Sequence, residues 1–290
     1  MPTLEGKVAL VTGAGGGLGR SHALLLAREG AAVVVNDLGG ARDGTGAGHG
    51  MADQVVEEIR AAGGKAVADY GSVSDEHDAA AMVQSAVENF GALDICICNA
   101  GILRDKSFKN MAADMWDAVI DVHLRGTYLV SKAAYDRMLE QQQGGRIIVT
   151  SSTAGLIGNF GQTNYGAAKA GIAGFMRCLA REGTRYGITV NVLAPAAWSR
   201  MTQDLLPEAA KDRFAPEKVS PVVAWLCTDA AADVTGRIFC AGGNRISMLN
   251  WQVDTLAEKD RDTPLTVEEV GQIMEATRDR WPKPLNPMDV

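Results

Sequence analysis

The sequence lacks any apolar run near the roughly 18 residues that a membrane-spanning helix needs. Its first strand-like pattern begins at Val8, which leaves no room for a secretion signal ahead of it. Basic residues are also fewer than acidic ones: 28 Lys and Arg and 35 Asp and Glu give a net charge of -7. Nucleic-acid binding, by contrast, needs clustered positive charges. We therefore expect a cytoplasmic protein that binds neither a membrane nor nucleic acid.

Cysteine is scarce, and no two of the five cysteines have the C-x-x-C spacing of a metal or redox motif. Cys96 and Cys98 alternate with isoleucines in a strand-like run, which is typical of buried packing positions. The cysteines are therefore interpreted as reduced core residues, and no metal site is predicted.

What the sequence does contain is a regular alternation of short β-branched runs and longer segments with helical apolar spacing. The predicted strands are 8–11, 32–36, 66–69, 93–98, 146–150, 189–194 and 237–240, and the predicted helices are 18–29, 52–62, 76–90, 111–142 in two pieces, 165–186 and 216–227. Nearly continuous apolar strands favour a parallel sheet covered on both faces. The pattern predicts an α/β fold with a doubly wound parallel sheet of Rossmann type.

The chain is expected to form a single domain over residues 1–243, because its length demands no second core. Residues 244–290 have one plausible helix, 266–281, which opens on a cap-like Thr-Val-Glu-Glu. This C-terminal extension has no core of its own. It is therefore expected to pack on the domain or on a partner subunit.

A glycine-rich turn follows the first strand and opens the first helix. Its cofactor-contacting candidates are Gly13, Gly17, Leu18 and Gly19. Glycines let the backbone approach a pyrophosphate, whose charge is met by the free N–H groups and the positive end of the helix. Such a turn at the first strand-to-helix junction predicts a dinucleotide site.

Asp37 ends the second strand, where a carboxylate can accept hydrogen bonds from both adenosine ribose hydroxyls and would repel a 2′-phosphate. The alternative is a turn-forming Asp, and Arg20 leaves an opening for NADP. Asp69 ends the third strand, and Asn99, Ala100 and Gly101 follow the fourth strand, all at the same sheet edge. The convergence predicts an NAD site.

Tyr165 and Lys169 lie four residues apart, so their side chains share one helix face. A lysine ammonium there, with the positive nicotinamide ring, could bring the tyrosine pKa down from about 10 and make the phenol a general base. The same spacing recurs at Tyr128 and Lys132. The two pairs must therefore be separated by their surroundings.

Ser152 separates them, because it lies thirteen residues before Tyr165 at the end of a predicted strand, whereas Met115 stands at that distance from Tyr128. Ser151 is adjacent, but alternation along an extended segment points one of the two hydroxyls away from the site. The spacing favours Ser152 as the residue that holds the substrate oxygen.

Taken together, the glycine turn, Asn99-Ala100-Gly101, Ser152, Tyr165 and Lys169 resemble the short-chain dehydrogenase/reductase family over residues 5–243. The resemblance implies that Ser152 orients an alcohol oxygen, Tyr165 takes its proton, and Lys169 also binds the nicotinamide ribose while hydride passes to the ring. His123 stands where the family usually has a catalytic-tetrad Asn, and is either catalytic or structural. Pro195-Ala196 replaces the family's Pro-Gly, so that Ser199 or Thr202 could serve the nicotinamide carboxamide instead.

Five further runs narrow the resemblance, at residues 34–40, 101–108, 122–126, 158–162 and 199–202. They resemble the (3R)-hydroxyacyl-CoA dehydrogenase units of peroxisomal type 2 multifunctional enzymes and their stand-alone bacterial relatives. The implied reaction is oxidation of a 3-hydroxyacyl-CoA, with a fatty or steroid side chain, by NAD in a homodimer or homotetramer. The alternatives are an NADPH-dependent 3-oxoacyl thioester or hydroxysteroid reductase and a non-catalytic NAD sensor.

Overall fold

The computed structural model describes residues 3–199, 202, 207–259, 263–283 and 285. Its strands, β1 to β8 in chain order, are Val8–Thr12, Ala32–Asn36, Lys65–Asp69, Ile95–Cys98, Gly145–Thr150, Ile188–Pro195, Ile238–Gly242 and Arg245–Leu249. They form one sheet in the order β3-β2-β1-β4-β5-β6-β7-β8. All neighbours pair in parallel except β8, which is antiparallel to β7. The predicted doubly wound α/β fold is confirmed.

Helices follow most strands, as the apolar spacing predicts. In chain order α1 to α9 are Gly17–Arg28, Gly50–Ala61, Glu76–Phe90, Ala113–Ile120, Gly126–Gln141, Thr153–Leu156, Thr163–Gly183, Ser220–Leu226 and Val267–Thr277. Several end at a left-handed glycine that turns the chain into the next strand; Gly91, at φ 88°, closes α3 through its N–H to Val87 O. The segment predicted as two helical pieces is continuous, because a π turn (Asp121–Arg125) joins α4 to α5.

The core forms two layers, one on each face of the sheet. Val11 belongs to the layer under α1, α2 and α8, whereas its neighbour Leu10 belongs to the layer under α3, α5 and α7. Both side chains have no solvent exposure. This arrangement explains why the strands are nearly all apolar, since each residue faces a covering helix.

The order of the strands reverses between β1 and β4, both of which lie in the middle of the sheet. At such a switch point the loops leave the carboxyl edge in opposite directions and open a crevice in which ligands bind. The glycine-rich loop after β2 lies at this edge, where Arg42 O accepts from Leu103 N at 3.0 Å and Asp43 O accepts from Arg104 Nε at 2.9 Å. The fold therefore places the crevice beside the glycine turn.

The C-terminal extension begins with a strand that the sequence analysis did not predict. Gly243 and Asn244 both have positive φ, 57° and 64°, and make a two-residue hairpin turn from β7 into β8. Further along, Thr266 and Glu269 form the expected capping box of α9. Among the described residues, no helix has both the length and the apolar character needed to cross a membrane.

Candidate active site

The glycine turn after β1 is shaped by close backbone packing. A Cβ on Gly13 would lie 2.8 Å from Ala100 Cα, and one on Gly19 would lie 2.1 Å from Gly13 O. The Asn99 amide donates to Thr12 O at 3.0 Å and to Gly13 O at 3.2 Å, which ties the end of β4 to the turn. The structure therefore brings the predicted residues Gly13, Gly19, Asn99 and Ala100 together at the switch point.

The N-terminus of α1 remains available for an anion. Its N-cap, Gly16, provides no side-chain hydrogen bond, and its first turn contains no acidic residue. Gly17 adopts φ 52° at the start of the helix, and Leu18 packs on the core layer under α1. Free N–H groups at a helix start bind phosphate oxygens well, so that the turn fits a dinucleotide pyrophosphate.

The two strand-end aspartates also lie at this edge. Asp37 accepts from Gly15 N at 2.8 Å and from Gly39 N at 2.7 Å, which holds its carboxylate against the glycine turn. Asp69 accepts from the Asn36 amide at 2.7 Å and from a backbone N–H. Arg20 forms an ion pair with Glu58 on α2. A carboxylate therefore borders the place where the adenosine ribose would lie.

Ser151 and Ser152, which follow β5, have different surroundings. The Ser151 hydroxyl is buried and donates to Lys169 O at 2.7 Å, which occupies it in linking β5 to α7. Ser152 is the N-cap of α6, where its oxygen accepts from Ala154 N at 3.2 Å. A hydrogen bond between Ser152 and Tyr165 also acts to lower the pKa of the tyrosine. Of the two hydroxyls, the structure turns that of Ser152 towards the tyrosine.

Tyr165 and Lys169 lie in the first two turns of α7. The Lys169 ammonium is 5.5 Å from the centre of the Tyr165 ring and donates to Thr150 O at 2.7 Å. Burial raises the pKa of Tyr165 to about 12; a hydrogen bond with Ser152 acts in the opposite direction, and the charge of Asp105 adds to the rise. Burial lowers the pKa of Lys169 to about 7.

The second tyrosine and lysine pair has none of these surroundings. Tyr128 is about half exposed on α5, at 48%, and Lys132 is bonded to Asp136 one turn further along the same helix. The spacing of the two pairs is identical, but only the Tyr165 pair lies at the carboxyl edge of the sheet.

Comparison with known proteins agrees with this geometry. The model of the short chain dehydrogenase family matches residues 7–209. The chain belongs to the short chain dehydrogenase family. It is 55% identical over 246 residues to a short-chain type dehydrogenase/reductase of Mycobacterium tuberculosis, with 85% of each chain covered. A crystal structure of a short chain dehydrogenase from Mycobacterium avium has a TM-score of 0.86 and 45% identity, with 98% of each chain covered.

Two further relatives have more specific names. Peroxisomal multifunctional enzyme type 2 of Mus musculus is 47% identical over 281 residues, which are 96% of this chain and 36% of the mouse enzyme. A hydroxyacyl-CoA dehydrogenase of Mycobacterium tuberculosis is 44% identical over 264 residues, covering 85% of this chain and 80% of the relative. The chain thus spans about a third of the mouse enzyme, and the resemblance drawn from the sequence is confirmed.

One departure from the usual short chain dehydrogenase pattern, His123, lies in the π turn. Its ring is buried and stands edge-on to the Tyr165 ring, with centroids 5.1 Å apart, and its Nε2 lies 2.8 Å from Ile102 O. Burial lowers its pKa well below the ordinary value, and the charge of Lys169 adds to that effect. A Cβ on Gly101 would lie 2.2 Å from His123 Cε1, so that glycine is needed there for the ring to fit.

The second departure, Pro195-Ala196, lies at the end of β6, where Ala196 N donates to Ala241 O at 2.8 Å. Thr202 accepts from Ser199 N at 2.9 Å and donates to Ala197 O at 2.6 Å. The run 199–202, which resembles the multifunctional enzymes, also includes Arg200 and Met201. These two residues lie outside the described residues.

The structure adds polar residues that the sequence analysis did not single out. Asp105 accepts from the Gln162 amide at 2.7 Å, and Asn164 donates to Arg104 O at 3.0 Å, so that two loops are joined just before Tyr165. The one sign of Asp105 in the sequence is its place a few residues after Asn99, in the segment that leaves the ligand-binding edge of the sheet. No spacing rule connects it to α7.

Proposed function

We propose that this chain oxidises the 3-hydroxyl group of a (3R)-3-hydroxyacyl-CoA and passes the hydride to NAD. The observation that carries the proposal is the grouping of Ser152, Tyr165 and Lys169 beside a glycine turn at the switch point of the sheet. The substrate class is taken from the names of the hydroxyacyl-CoA dehydrogenase and the peroxisomal multifunctional enzyme.

The cofactor part of the proposal rests on the fit of the turn. A side chain at Gly13 would clash with Ala100, and one at Gly19 would clash with Gly13 O, so the tight turn requires glycine at both positions. The start of α1 has free N–H groups that suit a pyrophosphate. Asp37 favours NAD, because its carboxylate would repel a 2′-phosphate. The remaining candidates for contact with the cofactor are Asp69, Gly17, Leu18, Asn99, Ala100, Gly101 and Pro195. When bound, oxidised nicotinamide accepts the hydride and brings a positive charge.

The roles of the protein side chains follow from their environments. Ser152 holds the substrate oxygen, and Tyr165 takes up the hydroxyl proton. Because burial raises the pKa of Tyr165 to about 12, operation near pH 8 requires about 5 kcal/mol of stabilisation of the phenolate by the filled site. Lys169, whose pKa burial lowers to about 7, supplies part of it in its protonated form, and we expect it also to bind the nicotinamide ribose. His123 packs against the Tyr165 ring and fixes its direction.

The homo-oligomer expected from the sequence belongs to the same proposal. An apolar groove between α5 and α7 is lined by Tyr128, Tyr135, Phe175 and Leu179. A second copy covering this groove would remove the half-exposed Tyr128 ring from water. The expected location is the cytoplasm.

The proposal is tested with 3R and 3S 3-hydroxyacyl-CoA substrates of several chain lengths, each with NAD and with NADP. We expect 3R substrates with NAD to give the highest kcat/KM, and Asp37→Ala to reduce the preference for NAD over NADP. Equal rates on the two configurations would contradict the substrate assignment, and a strong preference for NADPH with 3-oxoacyl thioesters would favour the reductase. Tight NAD binding without turnover of any alcohol would favour a sensor.

A further inference from the structure

One carboxylate oxygen near the start of α7 is buried without a partner. Among the described residues, Asp105 Oδ1 has neither solvent contact nor a hydrogen bond, whereas Oδ2 accepts from Gln162 Nε2 at 2.7 Å. Leaving a buried acceptor unsatisfied costs about 1–3 kcal/mol, and more when the group is charged. Native proteins keep few such groups, so this one calls for a functional explanation.

The position of Asp105 is fixed by hydrogen bonds to the start of α7. Its neighbour Lys106 donates its backbone N–H to Gly161 O at 3.0 Å, and Asn164 donates to Arg104 O at 3.0 Å. Gln162, which holds the carboxylate, is itself held by the Asn159 amide at 2.9 Å. Residues 104–106, called the strap below, therefore cannot move away from the start of α7 without breaking several bonds.

Three titratable groups face Tyr165 from the elements packed around it. His123 approaches from the π turn, Lys169 from the same helix, and Asp105 from the strap. Burial lowers the pKa of His123, so that its ring is neutral above mildly acid pH. The negative charge of Asp105 therefore opposes the positive charges that would stabilise a phenolate.

We propose that Asp105 is a positioning residue whose fixed carboxylate opposes loss of the Tyr165 proton and so sets the pH above which the site can oxidise an alcohol. The inference rests on the role of Tyr165 proposed above. In the free site the carboxylate adds to burial in keeping the phenol protonated. The proton leaves to solvent only when added positive charge outweighs both effects, which links formation of the base to a filled site.

The test replaces the carboxylate by its neutral isostere. Asp105→Asn retains an oxygen that can accept from Gln162, so the strap stays joined while the charge is lost. At saturating NAD, we expect the acid limb of the kcat/KM profile to move down by about one pH unit, with rates below the limb rising up to about tenfold. Asp105→Glu, which restores the charge, should return the limb towards that of the wild type.

The matched control is Asp117→Asn, which makes the same change of net charge at an exposed position on α4. It should leave the profile unchanged. An equal shift in both neutral variants would attribute the effect to net charge and overturn the proposal. So would an Asp105→Asn variant that loses activity without any shift, because that result indicates a merely structural residue.

A second measurement needs no substrate. The ultraviolet absorbance of tyrosinate is titrated in the wild type and in Asp105→Asn, each with and without Tyr165→Phe, so that the difference isolates Tyr165. We expect its ionisation to move to lower pH when the carboxylate is neutralised; an unchanged midpoint would overturn the proposal. Asp105→Ser serves as a second neutral variant if the first does not fold. Failure to oxidise any acyl-CoA would refute the proposed function but not this result.

Discussion

Tyr165 and Lys169 are both buried, and burial moves their pKa values apart, to about 12 and about 7. Each shift favours the neutral form, because a charge loses solvation in the interior. The free site therefore holds a phenol and a lysine that is only partly protonated at neutral pH. The expected lowering of the tyrosine pKa by Lys169 is thus outweighed in the free chain by burial.

Replacement of Lys169 by Met should stabilise the fold at low pH. The lysine pKa falls from 10.5 to about 7 on folding, so the unfolded chain binds more protons between these values and the free energy of unfolding rises with pH across that window. Below pH 7 the full cost, about 5 kcal/mol, is present. After loss of the bond to Thr150, we expect Lys169→Met to gain about 2 kcal/mol at pH 6 and much less at pH 10.

Urea denaturation at pH 6, 8 and 10 measures this gain. The control is Lys132→Met, the same change at the exposed lysine of the second pair, which should alter stability little at any pH. A gain in Lys169→Met that is the same at every pH would refute the assignment of the shift to burial.

At the residue scale, the sequence predicts those site members that belong to a known local spacing. Ser152, Tyr165 and Lys169 follow from strand end and helix periodicity, and the structure brings them together. Asp105 and Gln162 do not follow, since they meet across 57 residues through the pairing of two loops. Such a contact depends on the paths of the loops, which no periodicity encodes.

At the scale of elements, α6 and α7 cross so closely that one methyl group decides the geometry of the site. A Cβ on Gly155 of α6 would lie 2.5 Å from Ala170 N and 2.6 Å from Lys169 Cβ. We expect Gly155→Ala to cost about 1–3 kcal/mol and to lower kcat, because α7 must shift with Tyr165 and Lys169.

The control for this change is Gly174→Ala, which adds the same methyl group on α7 where nothing lies within 4 Å. It should raise stability by about 0.5–1 kcal/mol, since alanine favours a helix interior over glycine. Thermal unfolding and kcat of both variants check the pair. Equal effects of the two substitutions would show that the crossing is not the cause.

Elements with a strong period could be predicted from the sequence, whereas irregular ones could not. Ala32–Asn36 and Glu76–Phe90 have the predicted bounds, because their flanking residues end the pattern. β8 was missed, although Gly243-Asn244 is a hairpin signal, because an edge strand with exposed side chains has a weak apolar pattern. The π turn around His123 leaves no trace in a helical period.

At the scale of the whole molecule, the strand order explains why distant residues meet. The reversal between β1 and β4 brings the glycine turn, Asp37, Asn99 and the segment after β5 to one edge. Helix α7 supplies Lys169, and the π turn supplies His123. The pattern of alternating strands and helices predicts this convergence, because parallel strands all point their carboxyl ends the same way.

The central claim, that Tyr165 is the base, is tested most directly by Tyr165→Phe beside Tyr128→Phe. Both variants lose one phenolic hydroxyl from a tyrosine four residues before a lysine, so that only position differs. With the best 3-hydroxyacyl-CoA and NAD, we expect kcat of Tyr165→Phe to fall about a thousandfold while NAD binding is retained, and that of Tyr128→Phe to stay unchanged. Full turnover by Tyr165→Phe would contradict the account.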